Sequence, residues 1–361
     1  MGQVRLHLKG KGVVGMIDIR LPRLYNQFLT FQRLLYPITL SLDLNLTPLS
    51  TASIQLPIGE DIPTRYYVEL FSATGSLGYF RARSPEVAYG DGTSTTELEH
   101  AITEVGDWLI RGKVEGEYTI RAAMNAIWEQ YHGTMWQKGS VAALSNTEKI
   151  DISYDHENVL TAMLDVLENA EDVVMQFDFS STPWVVSFET IDNLNGTPAV
   201  GRLSRNVSEV KISYDDTDLC TQAYYQYDGN NWGTLSVATA FPDWTNNYGR
   251  IEKTVDTDSG DTQAVAKTKA KKFLRRNREP RVSIEITGDD LFAITGESVD
   301  RLYLGRVYDL EMADYGVSIK RNITALSWDD LYNNPNEVKI TLGDDDPELW
   351  AYFRGLSKKK K

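Results

Sequence analysis

Apolar and polar residues alternate along several short segments in the first third of the chain. The segment SLDLNL (Ser41–Leu46) places three leucines on one face and three polar residues on the other, the period of two that is typical of a half-buried strand. The segments ASIQLP, YYVELF and YFRARSPEV have the same strand character and are separated by turn residues. Short antiparallel strands joined by turns predict a small barrel or sandwich, which we assign to residues 1–116.

The spacing of apolar residues changes after Gly116. TIRAAMNAIWEQYH and ENVLTAMLDVLENAE repeat apolar residues three and four positions apart, which predicts two amphipathic helices, and PWVVSFETI then predicts a strand. These segments predict an α/β insert over residues 117–200. Strand patterns return from Val207, and they predict a second β domain over residues 201–342. The fold class is therefore mainly β with an α/β insert (α+β), and the layout indicates two related β domains.

A basic segment interrupts the second β domain. KTKAKKFLRRNREPR (Lys267–Arg281) carries eight Lys or Arg and one Glu, whereas the whole chain has a net charge of −14. Apolar residues at helical spacing predict an amphipathic helix with a stripe of Ala266, Ala270, Phe273 and Leu274. Asp258, Asp261 or Thr262 could cap the start of this helix, and Pro280 ends it. We predict a peripheral helical insertion over residues 257–281.

The cations of this helix form a candidate interface. They are Lys267, Lys269, Lys271, Lys272, Arg275, Arg276, Arg278 and Arg281. A basic face without interleaved aromatic residues, in an acidic chain, is a poor footprint for nucleic acid. We therefore expect no specific nucleic-acid binding. The cations should face solvent or pair with acidic neighbours, in the same chain or in an adjoining one.

Three motifs could carry chemistry, and none meets its full requirement. GKGVVG (Gly10–Gly15) matches a dinucleotide fingerprint by letter, but an extended segment follows it where a helix is required. DTDSGD (Asp256–Asp261) and GDDDPE (Gly343–Glu348) could hold a cation, but both lack a complete calcium loop. Helix capping and a solvated turn explain them more simply. Residues 343–361 are expected to form this acidic turn and a basic C-terminal tail.

The remaining reactive side chains are isolated in the sequence. The four histidines (His7, His100, His132 and His156) show no metal-binding spacing, and Cys220 has no activating motif beside it. We predict no catalytic residue, no cofactor site and no metal site, and hence no enzyme. We also expect no signal peptide and no membrane insertion, because no basic, apolar and small-residue leader and no long apolar run is present.

Two long stretches resemble a known family. YVELF…GYFRARSPEVAYGDG…TELEHAITEVGDWLIRG is similar to the first domain of phage tail hub proteins. NYGRIEKTVD…AKTKAKKFLRRNREPRVSIEITGDD…NITALSWDDLYNNPNEVKITLGDD is similar to later hub domains of the tail-associated, "prophage endopeptidase tail" proteins. The resemblance runs from about residue 40 to residue 346 and rests on the order and spacing of segments.

The resemblance implies a function as well as a fold. Members form a homotrimer in which two similar β-barrels per subunit make a pseudo-sixfold ring. That ring adapts the six-fold tail tube or distal tail ring to a three-fold tip and closes the DNA channel until infection. The implied partners are the distal tail or tube ring, the tape-measure protein and a tip, spike or receptor-binding protein. The protein would be made in the bacterial host cytoplasm and reside in the virion tail, at the baseplate or tail tip.

Two other functions remain open at this point. The first is a peptidoglycan-degrading tail endopeptidase; longer members carry lytic domains after the hub region, and this chain stops soon after VKITLGDD. We therefore expect the peptidase to be absent or to reside on another chain. The second is a carbohydrate-binding receptor-recognition protein that uses tryptophans as platforms. The candidate platforms are Trp128, Trp136, Trp184, Trp232 and Trp244.

Overall fold

The structure is a computed structural model of the 361-residue chain. It describes residues 3–5, 18–46, 49–72, 75–170, 172–194, 196–203, 205–245, 247–257, 260–297, 300–312 and 317–343. Two short strands near the start, β1 (Gln3–Arg5) and β2 (Asp18–Arg20), pair with each other. The GKGVVG motif, His7, Asp258, most of GDDDPE and the C-terminal tail lie outside the described residues.

The first β unit comprises residues 18–100. Its further strands are β3 (Arg23–Tyr25), β4 (Phe31–Leu34), β5 (Thr39–Asn45), β6 (Thr51–Pro57), β7 (Tyr67–Ser72), β8 (Gly75–Ala82), β9 (Glu86–Ala88) and β10 (Thr93–His100). Alternation sets the buried face. In β10, Ser94, Thr96, Leu98 and His100 are buried while the residues between them are more exposed.

The insert, residues 101–198, has its own sheets, helices and core. It contains a 3-10 helix (Ala101–Asp107), β11 (Lys113–Thr119), α1 (Ile120–Trp128), β12 (Trp136–Lys138), β13 (Lys149–Asp155), α2 (Val159–Leu167), β14 (Val173–Asp178), β15 (Trp184–Thr190) and α3 (Ile191–Leu194). The side chains of Thr119 and Asn158 cap α1 and α2 by accepting hydrogen bonds from backbone amides. β11 pairs with β13, and β15 lies between β12 and β14.

The second β unit consists of residues 199–215 and 281–343. Its elements are β16 (Ala199–Arg202), β17 (Val207–Asp215), β21 (Arg281–Asp289), α6 (Leu291–Thr295), β22 (Val307–Met312), β23 (Val317–Trp328) and β24 (Glu337–Leu342). Residues 216–280 leave this unit between β17 and β21. We call them the side unit. It contains β18 (Gln222–Tyr227), β19 (Asn231–Ser236), α4 (Val237–Ala240), β20 (Glu252–Thr254) and α5 (Gln263–Asn277).

One large sheet joins the two β units. It runs in the order β17-β21-β24-β23-β5-β6-β10-β8-β7-β3-β4, with β9 beside β10, β22 beside the first half of β23, and β16 beside β22. β23 of the second unit pairs antiparallel with β5 of the first. One hydrophobic core takes residues from both units, including Ile54 and Leu98 of the first and Ile286 and Ile340 of the second.

The architecture confirms the predicted mainly β fold with an α/β insert. Strand pairing in the described ranges follows an open path from β17 to β4, so the two predicted barrels are not found as closed rings of paired strands. The predicted boundary at Gly116 falls inside β11, and β11 pairs with β13 of the insert. The remaining domain boundaries stay predictions.

Candidate functional site

Helix α5 is the basic helix predicted from the sequence. The Thr262 hydroxyl caps it by accepting a hydrogen bond from the Val265 amide. Ala266, Ala270 and Leu274 are fully buried, and Val265 and Asn277 are also buried on this side. The helix ends at Asn277, before Pro280. Phe273 packs against the side-unit core without being fully buried.

The opposite side of α5 faces the insert, where Glu148 binds two of its cations. Lys271 Nζ lies 2.9 Å from Glu148 Oε1, and Arg275 Nη2 lies 2.7 Å from the same atom. Burial acts to raise the pKa of the Glu148 carboxyl, but hydrogen bonds and charges from Lys271 and Arg275 outweigh it and hold the pKa below its usual range. Arg275 also donates to the backbone carbonyl of Asn169.

Two further acidic residues, Asp165 and Glu168, lie on α2 and just after it. Lys272 contacts both Asp165 and Glu168, and its side chain is only 19% exposed. Arg276 Nη2 lies 2.9 Å from Glu168 Oε1 and is more exposed. Three carboxylates of the insert therefore pair with four neighbouring cations of one helix.

The other predicted interface cations have different surroundings. Lys269 Nζ lies 2.8 Å from Asp261 Oδ2, within the side unit. The Arg278 guanidinium lies 4.8 Å from the centre of the Phe241 ring, a cation–π contact. Arg281 donates to the Asn277 side chain, and Lys267 is exposed. The acidic neighbours expected for this helix are thus found in the same chain, while a contact with another chain stays a prediction.

A cavity of about 590 Å³ lies where the first β unit, the insert and the second β unit meet. Its walls include the aromatic side chains of Tyr79, Phe179 and Trp328, one from each of these parts. Gly78 is required beside it, because its φ is +104° and a Cβ there would lie 2.6 Å from the Phe179 ring. Aromatic packing therefore fixes the joint between the first β unit and the insert.

His100 also lines this cavity and is almost completely buried. Its Nδ1 accepts a hydrogen bond from the Ile102 amide at 3.3 Å, which caps the 3-10 helix that starts the insert. Its ring centre lies 4.1 Å from that of Phe177. Burial lowers the pKa of His100 to about 3, so the imidazole is neutral at physiological pH. His100 therefore stabilises the 3-10 helix with which the insert begins.

The other candidate reactive groups are dispersed. Asp256 is exposed, and Asp261 accepts a hydrogen bond from Lys269. His132 and His156 are exposed, and burial raises the pKa of the Cys220 thiol. Within the described residues, no group of three or more His, Cys, Asp or Glu side chains is arranged to hold a metal. No helix of the described part is long and apolar enough to cross a membrane.

The candidate tryptophan platforms are mostly core residues. Trp136 and Trp184 are buried in the insert, with ring centres 5.3 Å apart, and cannot present a face to a ligand. Trp128 packs against the insert core and Trp244 against the side-unit core. Trp232 is 56% exposed, on the β18–β19 hairpin. The set of five does not form one aromatic surface.

The partners of α5 could not be identified from the sequence. Glu148, Asp165 and Glu168 lie more than 100 positions before the cations that they bind. Each is one acidic residue among 51 in the chain, and no local pattern distinguishes it. The available signal was the cationic stripe itself, which was consistent with acidic neighbours but did not specify them.

Comparison with known proteins identifies a related family over part of the chain. Residues 200–351, less than half of the chain, match the model of the family described as prophage endopeptidase tail. The match begins within β16 and includes both the side unit and the second β unit. No curated protein sequence matches the chain.

Solved structures match almost the whole chain in fold. Prophage tail protein gp18 from Listeria monocytogenes EGD-e is 12% identical, with a TM-score of 0.56 over 94% of this chain and 99% of that one. The tail protein from Neisseria meningitidis MC58 is 14% identical, with a TM-score of 0.58 over 90% and 96%.

A third similar structure is the E. coli c3393 protein, a component of the type VI secretion system that exhibits structural similarity to T4 bacteriophage tail proteins gp27 and gp5. It is 12% identical, with a TM-score of 0.52 over 86% of this chain and 74% of that one. At these identities the likeness shows the fold alone. The family match and these folds together confirm the predicted resemblance to phage tail-associated proteins.

Proposed function

Because the chain resembles phage tail-associated proteins in family match and in fold, we propose that it is a structural tail hub protein. Three copies form a ring that adapts a six-fold tail tube or distal tail ring to a three-fold tip, and that ring gates the DNA channel. The observation that carries this proposal is a repeat in the large sheet.

The repeat consists of two groups of four strands with the same order. The first group lies in the sheet in the order β5, β6, β10, β8. In chain order, these strands are the first, second, last and next-to-last of the four. The second group lies in the sheet in the order β17, β21, β24, β23. In chain order, these strands are again the first, second, last and next-to-last of the four. All neighbouring pairs are antiparallel, so strands of the same rank run in the same direction.

The register of the two groups also agrees. Residues that lie side by side across three strands are apolar in both groups. They are Leu42, Ala52 and Leu98 in the first group and Ile212, Ile284 and Leu342 in the second. The groups therefore follow one another head to tail within the sheet, and the pairing of β23 with β5 joins them.

A head-to-tail repeat leaves two complementary edges. Among the strands of the described ranges, β9, which follows β8 in the chain, pairs only with β10. Within the same ranges, β17 forms a ladder only with β21. In the repeat, β8 and β9 together correspond to β23, and β17 corresponds to β5. The β9 edge of one copy can therefore pair with β17 of the next copy, as β23 pairs with β5 inside the chain.

Repeating this contact generates a ring when the rotation closes. Two strand groups per chain give six similar groups in three chains, so a trimer presents pseudo-sixfold symmetry to a tube and three-fold symmetry to a tip. Closure also pairs strand edges that would otherwise promote aggregation. We place the protein in the virion tail, at the baseplate or tip, in contact with the distal tail or tube ring, the tape-measure protein and a tip protein.

The test is the mass of the assembled particle. The purified chain, alone and with the distal tail or tube protein, should give native mass spectra with three copies of the chain or a multiple of three. A stable dimer as the final species in the presence of that partner would contradict the proposal. The role is structural and not enzymatic, so the same sample should release no fragments from peptidoglycan.

A further inference from the structure

The side unit is a small folded body with its own core. Its sheet has the order β19-β18-β20 and is separate from the large sheet. Its core includes Ala223, Tyr225, Leu235 and Leu274. It is connected to the second β unit by the ends of β17 and β21, where the Cys220 amide donates to the Asn277 carbonyl at 2.7 Å.

Helix α5 contributes differently to the two bodies that it contacts. Its apolar stripe packs into the side-unit core and holds the helix there whatever the ionic strength. Its cationic stripe, Lys271, Lys272, Arg275 and Arg276, faces the insert. Hydrophobic packing therefore holds the helix in the side unit, and ion pairs hold it against the insert.

Ion pairs and hydrogen bonds join α5 to the insert among the described residues. In addition to the ion pairs of the cationic stripe, the Asp151 amide of β13 donates to the Thr268 hydroxyl at 3.3 Å. The insert core and the side-unit core share no residue in the part of the chain that the structure describes. Salt screens these ion pairs, the exposed Arg276–Glu168 pair more than the partly buried ones, whereas it does not weaken the packing inside each body.

We infer that α5 is an electrostatic latch. The side unit docks on the insert through the cationic stripe and undocks as a folded body, pivoting on its two connections to β17 and β21. Undocking frees the cationic stripe and the three carboxylates Glu148, Asp165 and Glu168. This inference concerns movement within one subunit and is independent of the number of copies in the particle.

Hydrogen exchange of the full chain tests the latch. Asp151 reports docking because its amide donates to the side unit, and β18 reports the fold of the side unit. The test variant reverses the stripe: Lys271→Glu, Lys272→Glu, Arg275→Glu and Arg276→Glu. Peptides that contain Asp151 should exchange at least about tenfold faster, because loss of the pairs favours the open form, while β18 peptides keep the wild-type rate.

Two comparisons separate a latch from a general charge effect. The matched control reverses four ion-paired cations of the two β units, Arg33, Arg202, Lys320 and Lys339, and should leave Asp151 unchanged. A swap that combines Lys272→Glu and Arg276→Glu with Asp165→Lys and Glu168→Lys should restore slow exchange relative to the two Glu substitutions alone.

A salt series on the wild type provides a test without any substitution. Raising NaCl from about 0.1 M to about 1 M shortens the Debye length from ~10 Å to ~3 Å and should accelerate exchange at Asp151 severalfold. Two results would overturn the latch. One is exchange at Asp151 that responds neither to salt nor to charge reversal. The other is acceleration at β18 by the same factor, which would show unfolding of the side unit instead of undocking.

Discussion

Trp328 at the end of β23 lies directly opposite Leu42 in the middle of β5, and both side chains are buried. The two residues are 286 positions apart in the chain, and their contact joins the second β unit to the first. Trp328 Nε1 also donates to the Pro335 carbonyl at 3.2 Å, which fixes the ring at this junction. The junction is therefore a packing contact, and it is the template for the contact that we propose between subunits.

The first prediction concerns the stability of this junction. Trp328→Ala should lower the free energy of unfolding by about 3–5 kcal/mol, because it removes a buried aromatic ring and leaves a cavity. Urea unfolding monitored by circular dichroism measures the change. Trp232→Ala is the matched control, since that ring is 56% exposed, and it should change stability by less than about 0.5 kcal/mol. Equal losses in the two variants would show that Trp328 does not hold the units together.

The second prediction locates the contact between subunits to one residue pair. In the alignment of the strand groups, Thr95 and Lys339 are equivalent, and their cross-strand partners are Glu86 and Ser327. The next residues, Val87 and Trp328, are therefore equivalent, and Ile212 is equivalent to Leu42. Because Trp328 lies opposite Leu42, Val87 of one copy should lie opposite Ile212 of the next.

Cysteine crosslinking tests this register. Residues directly opposite in an antiparallel pair have Cα atoms about 4.5–5.5 Å apart, a separation that a disulfide can bridge. The double variant Val87→Cys with Ile212→Cys should form covalent dimers and trimers on mild oxidation of the assembled particle. Neither single variant should do so, and the native Cys220 is buried. Assembled trimers that stay uncrosslinked in the double variant would reject the predicted edge contact.

Local patterns in the sequence were sufficient to predict the main elements. The alternation in Ser41–Leu46 corresponds to β5, and the two helical periods correspond to α1 and α2. Thr262, one of the three predicted candidate caps, caps α5, and Ala266, Ala270 and Leu274 of its predicted apolar stripe are buried. These features depend on neighbours within a few residues, so composition and spacing alone specify them.

Long-range pairing could not be predicted in the same way. The pairing of β23 with β5 and the match of Lys271 to Glu148 depend on tertiary register, which no local spacing encodes. β9 is only three residues long and lacks a periodic pattern of its own. Its significance is visible only from its rank beside β10, once the sheet order is known.

The third prediction separates two adjacent arginines of α5. The side chain of Arg275 is 14% exposed and bonds to both Glu148 and the Asn169 carbonyl, whereas that of Arg276 is 52% exposed and pairs with Glu168. Arg275→Ala should cost about 1.5–3 kcal/mol, because it removes a mostly buried charged donor from the Asn169 carbonyl and leaves Glu148 with Lys271 alone. Arg276→Ala should cost about 0–1 kcal/mol. Thermal unfolding of both variants in one buffer measures the difference, and a larger loss for Arg276→Ala would contradict the structure.

The fourth prediction follows from the buried imidazole of His100. Its pKa is about 3 in the folded chain against an ordinary value of 6.5. Below about pH 6.5 this imidazole therefore binds a proton in the unfolded chain but stays neutral in the folded chain until the pH approaches 3. Stability should therefore fall as pH drops from about 6.5 towards 3 and should not depend on this group above that window. Between about pH 7 and pH 5 the loss from His100 alone should be about 2 kcal/mol.

The variant His100→Asn removes this contribution, because asparagine does not titrate and can still cap the 3-10 helix. Its absolute stability should fall at both pH values, since a smaller side chain replaces a buried ring. The difference between the two pH values is what tests His100, and it should be about 2 kcal/mol smaller in the variant than in the wild type. His132→Asn makes the same change at an exposed position and should retain the wild-type difference. If His100→Asn retains it too, the protons that destabilise the fold at mildly acid pH bind elsewhere.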